Sequence, residues 1–223
     1  MKRIKLRDRL LPNYTGGEEI MNMVTHIVGG GLGVIALVLC LIRAILHGTT
    51  LSVIGCALYG ISIVALYTVS SVYHGLRPGM AKKVFQVIDH CTIYFLIAGT
   101  YTPILVSALI PVYPAIGWGL LAAEWGLLAL AVTLTAIDLK KYTVFSMICY
   151  IGMGWGIIFF LPQAMETMTP PGFDLLLSGG IAYTVGAILY GIGAKTRWVH
   201  SVFHIFVVIG SLLQFLAIYL YVL

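Results

Sequence analysis

Two histidines four residues apart, His200 and His204, stand in the otherwise apolar string His-Ser-Val-Phe-His. On a helix, positions i and i+4 share a face, so both imidazoles project together and can bind one metal ion. Ser70 and His74 have the same spacing, as do Asn22 and His26, with Glu19 one further turn back on that face. Asp89, followed by His90, adds a carboxylate. Three neutral imidazoles from two stretches make a half-shell with a free fourth position, the arrangement of catalytic zinc. The 200/204 pair lacks the glutamate that makes HExxH a self-contained metalloprotease motif, so a general base must come from elsewhere. Asp89 is the best candidate, because a carboxylate beside a metal whose water has a pKa of about 7 can take the proton. A lone histidine is more often a packing residue, and a lone serine in an apolar helix commonly bonds its own backbone. The prediction of a metal centre at His74, Asp89, His200 and His204 therefore rests on the set.

The elements that must position these residues follow from composition. Of 223 residues, 60% are hydrophobic and 9% charged, against roughly 25% charged in an average soluble domain. Thirteen Lys+Arg and eight Asp+Glu cannot cover a water-soluble fold of this size. That excludes secreted disulfide scaffolds, disordered tails and nucleic-acid-binding domains, and it predicts a polytopic membrane protein. Cys40, Cys56, Cys91 and Cys149 lie in apolar runs without CxxC spacing and read as packing residues.

A membrane helix needs about 20 apolar residues. Runs of that size cover residues 21–43, 51–73, 84–107, 116–137, 142–161, 174–194 and 198–222. They are continuously apolar, which disfavours a β-barrel. The predicted fold is all-α: a bundle of seven transmembrane helices over residues 21–223, preceded by a basic segment, residues 1–20. Lys and Arg fall on alternate connections: Lys2, Arg3, Lys5, Arg7 and Arg9, then Arg77, Lys82 and Lys83, then Lys140 and Lys141, then Lys195 and Arg197, with Arg43 alone on the other side. By the positive-inside rule the N-terminus is cytoplasmic and the C-terminus outside, in a multi-pass protein of the cell membrane.

With that topology Glu19, Asn22, His26, Ser70, His74, Asp89, His90, His200 and His204 all come to the cytoplasmic ends of their helices. Ionisable groups at membrane depth are costly, so their coincidence in depth is itself a sign of a site. Glu18 and Glu19 are expected to precede the first helix and favour its N-terminal dipole. Gly29-Gly30-Gly31 with Gly33 permits close helix approach. His47 and Glu166 read as solvated. His90 points either to headgroups or to the site, and Glu124 is either hydrogen-bonded inside the bundle or lines a cavity.

The string from Glu19 through Asn22, Thr25 and His26 to Gly29 resembles the E-x-x-N-x-x-T-H-x-x-G signature of the hemolysin III family. This is the bacterial branch of the progestin and adipoQ receptors, related to alkaline ceramidases. Ser70 to His74, the block Asp89-His90 through Ala98-Gly99-Thr100-Tyr101-Thr102-Pro103, and His200 to His204 resemble its other motifs in order. The resemblance implies a zinc ion held by His74, His200 and His204, with Asp89 and Ser70 contacting its water or the substrate oxygen. Glu19, Asn22 and His26 would support that centre.

These readings favour zinc-dependent hydrolysis of a lipid amide or ester, with a membrane lipid as partner and a role in membrane lipid homeostasis. Two alternatives stand beside it: a non-enzymatic, receptor-like regulator of membrane state with structural zinc, and a pore-forming hemolysin. Charged residues gathered at one end argue against the pore. No lysine lies inside the seventh span, which argues against a retinal protein.

Overall fold

A computed structural model describes residues 5–193 and 196–223; Lys2, Arg3 and Lys195 of the charge pattern lie outside the described residues. Seven helical spans follow one another: α1 Gly16–His47, α2 Thr50–Gly75, α3 Met80–Val112, α4 Pro114–Asp138, α5 Thr143–Thr167, α6 Pro170–Gly193 and α7 Val199–Val222. Each is long and apolar enough to cross a membrane. Among the described residues there is no strand.

The first helix begins at Gly16, earlier than the apolar run predicts. The cause is a reciprocal cap: the Thr15 hydroxyl accepts from the Glu18 amide at 3.3 Å, and the Glu18 carboxylate accepts from the Thr15 amide at 2.8 Å. Glu18 and Glu19 therefore lie in the first turn of α1 rather than before it, a correction to the expectation from sequence. In α3, Pro103 sits inside the helix, and the chain widens into a π turn over Leu105–Leu109. Proline lacks the N–H that a regular helix would use, and the wider turn accommodates the loss. In α5 the helix is interrupted at Trp155. There the Tyr101 hydroxyl donates to the Gly154 carbonyl at 3.2 Å and accepts from the Ile157 amide at 2.9 Å. One side chain thus satisfies backbone groups that the interruption frees.

α2 packs between α1 and α3, α6 packs on α7, and α7 returns to α1. The close approaches depend on glycine. A Cβ at Gly60 would stand 2.3 Å from the Leu37 side chain and 2.7 Å from its Cα, and one at Gly99 would stand 2.2 Å from the Ser62 hydroxyl. Of the glycine run, Gly29 and Gly33 meet Tyr67 and Ile63, whereas Gly31 faces open space. The four cysteines are free. This packing brings the N-terminal ends of α1, α3 and α7 and the C-terminal end of α2 to one end of the bundle.

Candidate metal centre

His74, in the last turn of α2, meets His200 and His204, in the first two turns of α7. All three are buried, and one ring nitrogen from each lies within 4.8 Å of the others. The Nε2 atoms of His200 and His204 are 3.1 Å apart. Two nitrogens bound at about 2.0–2.1 Å to one tetrahedral ion would stand about 3.3 Å apart. The donor set suits a metal ion, and the spacing of the His200–His204 pair is close to what shared coordination needs.

His74 is held in the tautomer that ligation needs. Its Nδ1 lies 2.6 Å from Glu19 Oε2. A carboxylate only accepts, so Nδ1 carries the proton, and in the neutral ring Nε2 is left with its lone pair. The Asn22 amide nitrogen, 3.4 Å from the same atom, is then a packing neighbour. Asn22 instead accepts from the Ser201 hydroxyl at 2.7 Å, which ties α1 to α7. The other oxygen of Glu19 pairs with Lys82 at 2.8 Å, and Lys82 also donates to the carbonyl of Leu76 at 3.0 Å. Lys82 is 3% exposed, so the lysine that the charge pattern treats as a loop marker is a buried partner of the site.

His26 lies beside the cluster. Its ring stacks on His204 with centroids 3.8 Å apart and meets Tyr67 edge-on at 5.0 Å. Neither of its nitrogens has a hydrogen-bond partner among the described residues. It packs against a candidate ligand rather than hydrogen-bonding to one. Asp89 and Ser70 face each other on α3 and α2, and both line the cavity that His200 and His204 open into.

That cavity has a volume of about 200 Å³. It follows α3 from Asp89 to Ile104 and α7 from His200 to Gln214. At 1.5 Å per residue these stretches are roughly 21–23 Å long. Past the polar head its walls are mainly apolar, including Leu66, Ile93, Leu96, Phe173 and Val207.

The segment before α1 closes the head of the cavity, where Pro12 and Tyr14 line it. Tyr14 stacks on His200 with centroids 4.8 Å apart and planes at 19°. Burial and the nearby Tyr190 hydroxyl push the pKa of Tyr14 upward, so its phenol stays neutral. The segment is anchored by Arg9, buried beside Asp138 at the end of α4 with 3.8 Å between charges. Its backbone is also held by Lys83, which donates to the Arg7 carbonyl at 2.5 Å. Glu18 links the starts of α1 and α7 by accepting from the Trp198 amide at 2.7 Å.

His90 belongs to the cavity wall, together with Tyr190. Glu124 is 3% exposed in the middle of α4 and is not among the residues lining this cavity, and its Oε2 has no hydrogen-bond partner among the described residues. His47 and Glu166 are exposed, as expected, though Glu166 accepts from the Tyr113 hydroxyl. Sequence reasoning did not find Tyr14, Lys82, Arg9, Asp138 or Tyr190. None stands in a spacing pattern with the histidines, and only the tertiary fold brings them near.

The molecule is thus a seven-span, all-helical membrane protein with a cluster of three buried imidazoles, two of which, His200 and His204, line a long apolar cavity. It belongs to the Haemolysin-III related family, whose pattern matches residues 14–215 and so includes every candidate site residue. It is 40% identical over 206 residues to Hemolysin-3 of Bacillus cereus, an alignment covering 92% of each chain. It is 34% identical over 208 residues to the Hemolysin-3 homolog of Bacillus subtilis (strain 168), covering 93% of this chain and 96% of that one. A more distant relative, the Monocyte to macrophage differentiation factor of Homo sapiens, is 26% identical over 172 residues, covering 74% of this chain and 68% of that one.

Proposed function

We propose that the protein is a zinc-dependent intramembrane hydrolase of a lipid amide or ester. The observation that carries this reading is that two members of the three-histidine cluster, His200 and His204, line the polar head of an apolar cavity whose wall also presents Asp89 and Ser70. His74, His200 and His204 would hold the ion. When bound, zinc supplies Lewis acidity, polarising a carbonyl and making water more acidic.

The chain's own residues supply the rest. Asp89 takes a proton from the attacking water as the water oxygen bonds to the carbonyl carbon. It returns that proton to the departing nitrogen or oxygen as the C–N or C–O bond breaks. Ser70, beside Asp89, donates a hydrogen bond where negative charge builds on the carbonyl oxygen. Glu19 holds the His74 ring in one tautomer. The apolar stretch along α3 and α7 takes an acyl chain, and its walls exclude bulk water from the reacting carbonyl. The alternation of Lys and Arg supports a cytoplasmic N-terminus, which puts the head of the cavity at the inner leaflet of the cell membrane.

The test is fatty-acid release from lipid amides and esters by purified protein in nanodiscs, read by mass spectrometry. Release by wild type and its loss in Asp89→Asn support the reading; no release by metal-loaded wild type sinks it.

One observation favours a second reading. The histidines and Glu19 come from three helices, α1, α2 and α7, so a cation there would also clamp the bundle. A regulator with structural zinc would lose folding stability on metal removal and would tolerate Asp89→Asn in cells. A hydrolase would not tolerate it.

A further inference from the structure

His90 and Tyr190 form a hydrogen-bonded pair between α3 and α6, and both line the head of the cavity. The Nδ1 of His90 lies 2.8 Å from the Gln86 carbonyl. A carbonyl only accepts, so Nδ1 carries the proton, and in the neutral ring Nε2 is an acceptor. The Tyr190 hydroxyl, 3.1 Å from Nε2, must then be the donor in that pair. Its only hydrogen is committed, and what it can offer a ligand is oxygen lone pairs.

The pair is braced. The Tyr150 hydroxyl donates to the His90 carbonyl at 2.8 Å, and the Tyr190 ring packs on Phe203 with centroids 5.4 Å apart. It stands beside the site, with the Tyr190 and His200 rings 5.7 Å apart and Asp89 next in sequence to His90. A neutral acceptor locked by its own donor bond discriminates well, because a ligand lacking a matching N–H or O–H leaves a buried lone pair unmet.

We propose that Tyr190, oriented by His90, is a specificity-determining residue that accepts a hydrogen bond from an N–H or O–H next to the ligand's carbonyl. Tyr190 touches the ligand, and His90 acts through Tyr190 as a positioning residue. The inference builds on the proposed lipid hydrolase, yet it concerns binding and can be read without turnover.

Trp155 lines the same cavity, so in a chain that keeps Trp155 as its single tryptophan, quenching of its fluorescence by a brominated acyl chain reports occupancy. The probes are a brominated long-chain secondary amide and its N-methylated tertiary twin, titrated into the full chain in nanodiscs. Wild type should bind the secondary amide roughly five- to tenfold more tightly, the scale of one neutral hydrogen bond. Tyr190→Phe should bring the two probes within about twofold by weakening the secondary amide alone. His90→Phe should shift selectivity in the same direction, because the Tyr190 hydroxyl then loses its partner.

Equal binding of both probes by wild type, no quenching by either, or full discrimination surviving in Tyr190→Phe would each overturn the inference. Equal weakening of both probes would also overturn it, since that marks a packing role. Discrimination in a protein that hydrolyses nothing would uphold the inference while removing the hydrolase reading.

Discussion

Nδ1 of His74 lies 2.6 Å from Oε2 of Glu19, a bond that joins the last turn of α2 to the first turn of α1. The same carboxylate engages Lys82 at 2.8 Å. A negative charge on the far side of a ligating ring raises its basicity and fixes which nitrogen faces the ion. Glu19→Gln keeps the shape and loses the charge. Zinc affinity should fall about 10- to 100-fold, the usual cost of removing such a partner, as measured by competition with a chromogenic chelator. An unchanged affinity would mean that Glu19 serves only the ion pair with Lys82.

Asp89 and Ser70 lie across from each other on the cavity wall, outside the three-nitrogen cluster. Asp89→Asn should keep its metal yet lose about 10²–10⁴-fold in turnover, the range for removing a general base. Parallel metal analysis and lipid release separate the two effects. Loss of metal in this variant would make Asp89 a ligand instead.

Arg9 and Asp138 are both buried, 7% and 1% exposed, with their charges 3.8 Å apart. Removing one partner of a buried pair strands the other, at a cost of about 3–5 kcal/mol, whereas replacing both is much milder. Asp138→Ala should therefore lower the melting temperature more than the Arg9→Met, Asp138→Leu double variant. If this pair holds the N-terminal segment over the cavity, proteolysis before Thr15 should accelerate in the single variant as well.

Gly60 meets the Cα of Leu37 too closely for any side chain, with 2.7 Å to a hypothetical Cβ. Gly60→Ala must push α2 away from α1 and strain the Glu19–His74 bond that spans the same two helices. A loss of about 1–3 kcal/mol is expected from such overpacking, read as a lower melting temperature with weaker metal retention.

Much of this molecule was legible in residue order, and the reasons are physical. The spans show because hydrocarbon demands long apolar runs, and only their ends shifted, as at Gly16, where a cap formed by Thr15 and Glu18 extends the helix past its apolar stretch. The convergence of His74, His200 and His204 was legible because i/i+4 spacing and a shared membrane depth leave few other arrangements. What stayed hidden depends on side-chain reach across the bundle. Lys82 looks like a loop charge until its aliphatic stem carries the ammonium to Glu19. Tyr14 looks like linker until the chain folds it onto His200. Motif membership did not distinguish His26, which packs on His204, from Asn22, which hydrogen-bonds Ser201.

The central claim is that His74, His200 and His204 enclose a single cation, and metal analysis of the purified chain tests it most directly. Wild type should carry about one zinc per chain by inductively coupled plasma mass spectrometry. His74→Ala and His204→Ala should carry close to none while remaining folded by circular dichroism. Folded wild type free of metal that cannot be loaded with zinc, or alanine variants that retain a full equivalent, would contradict it.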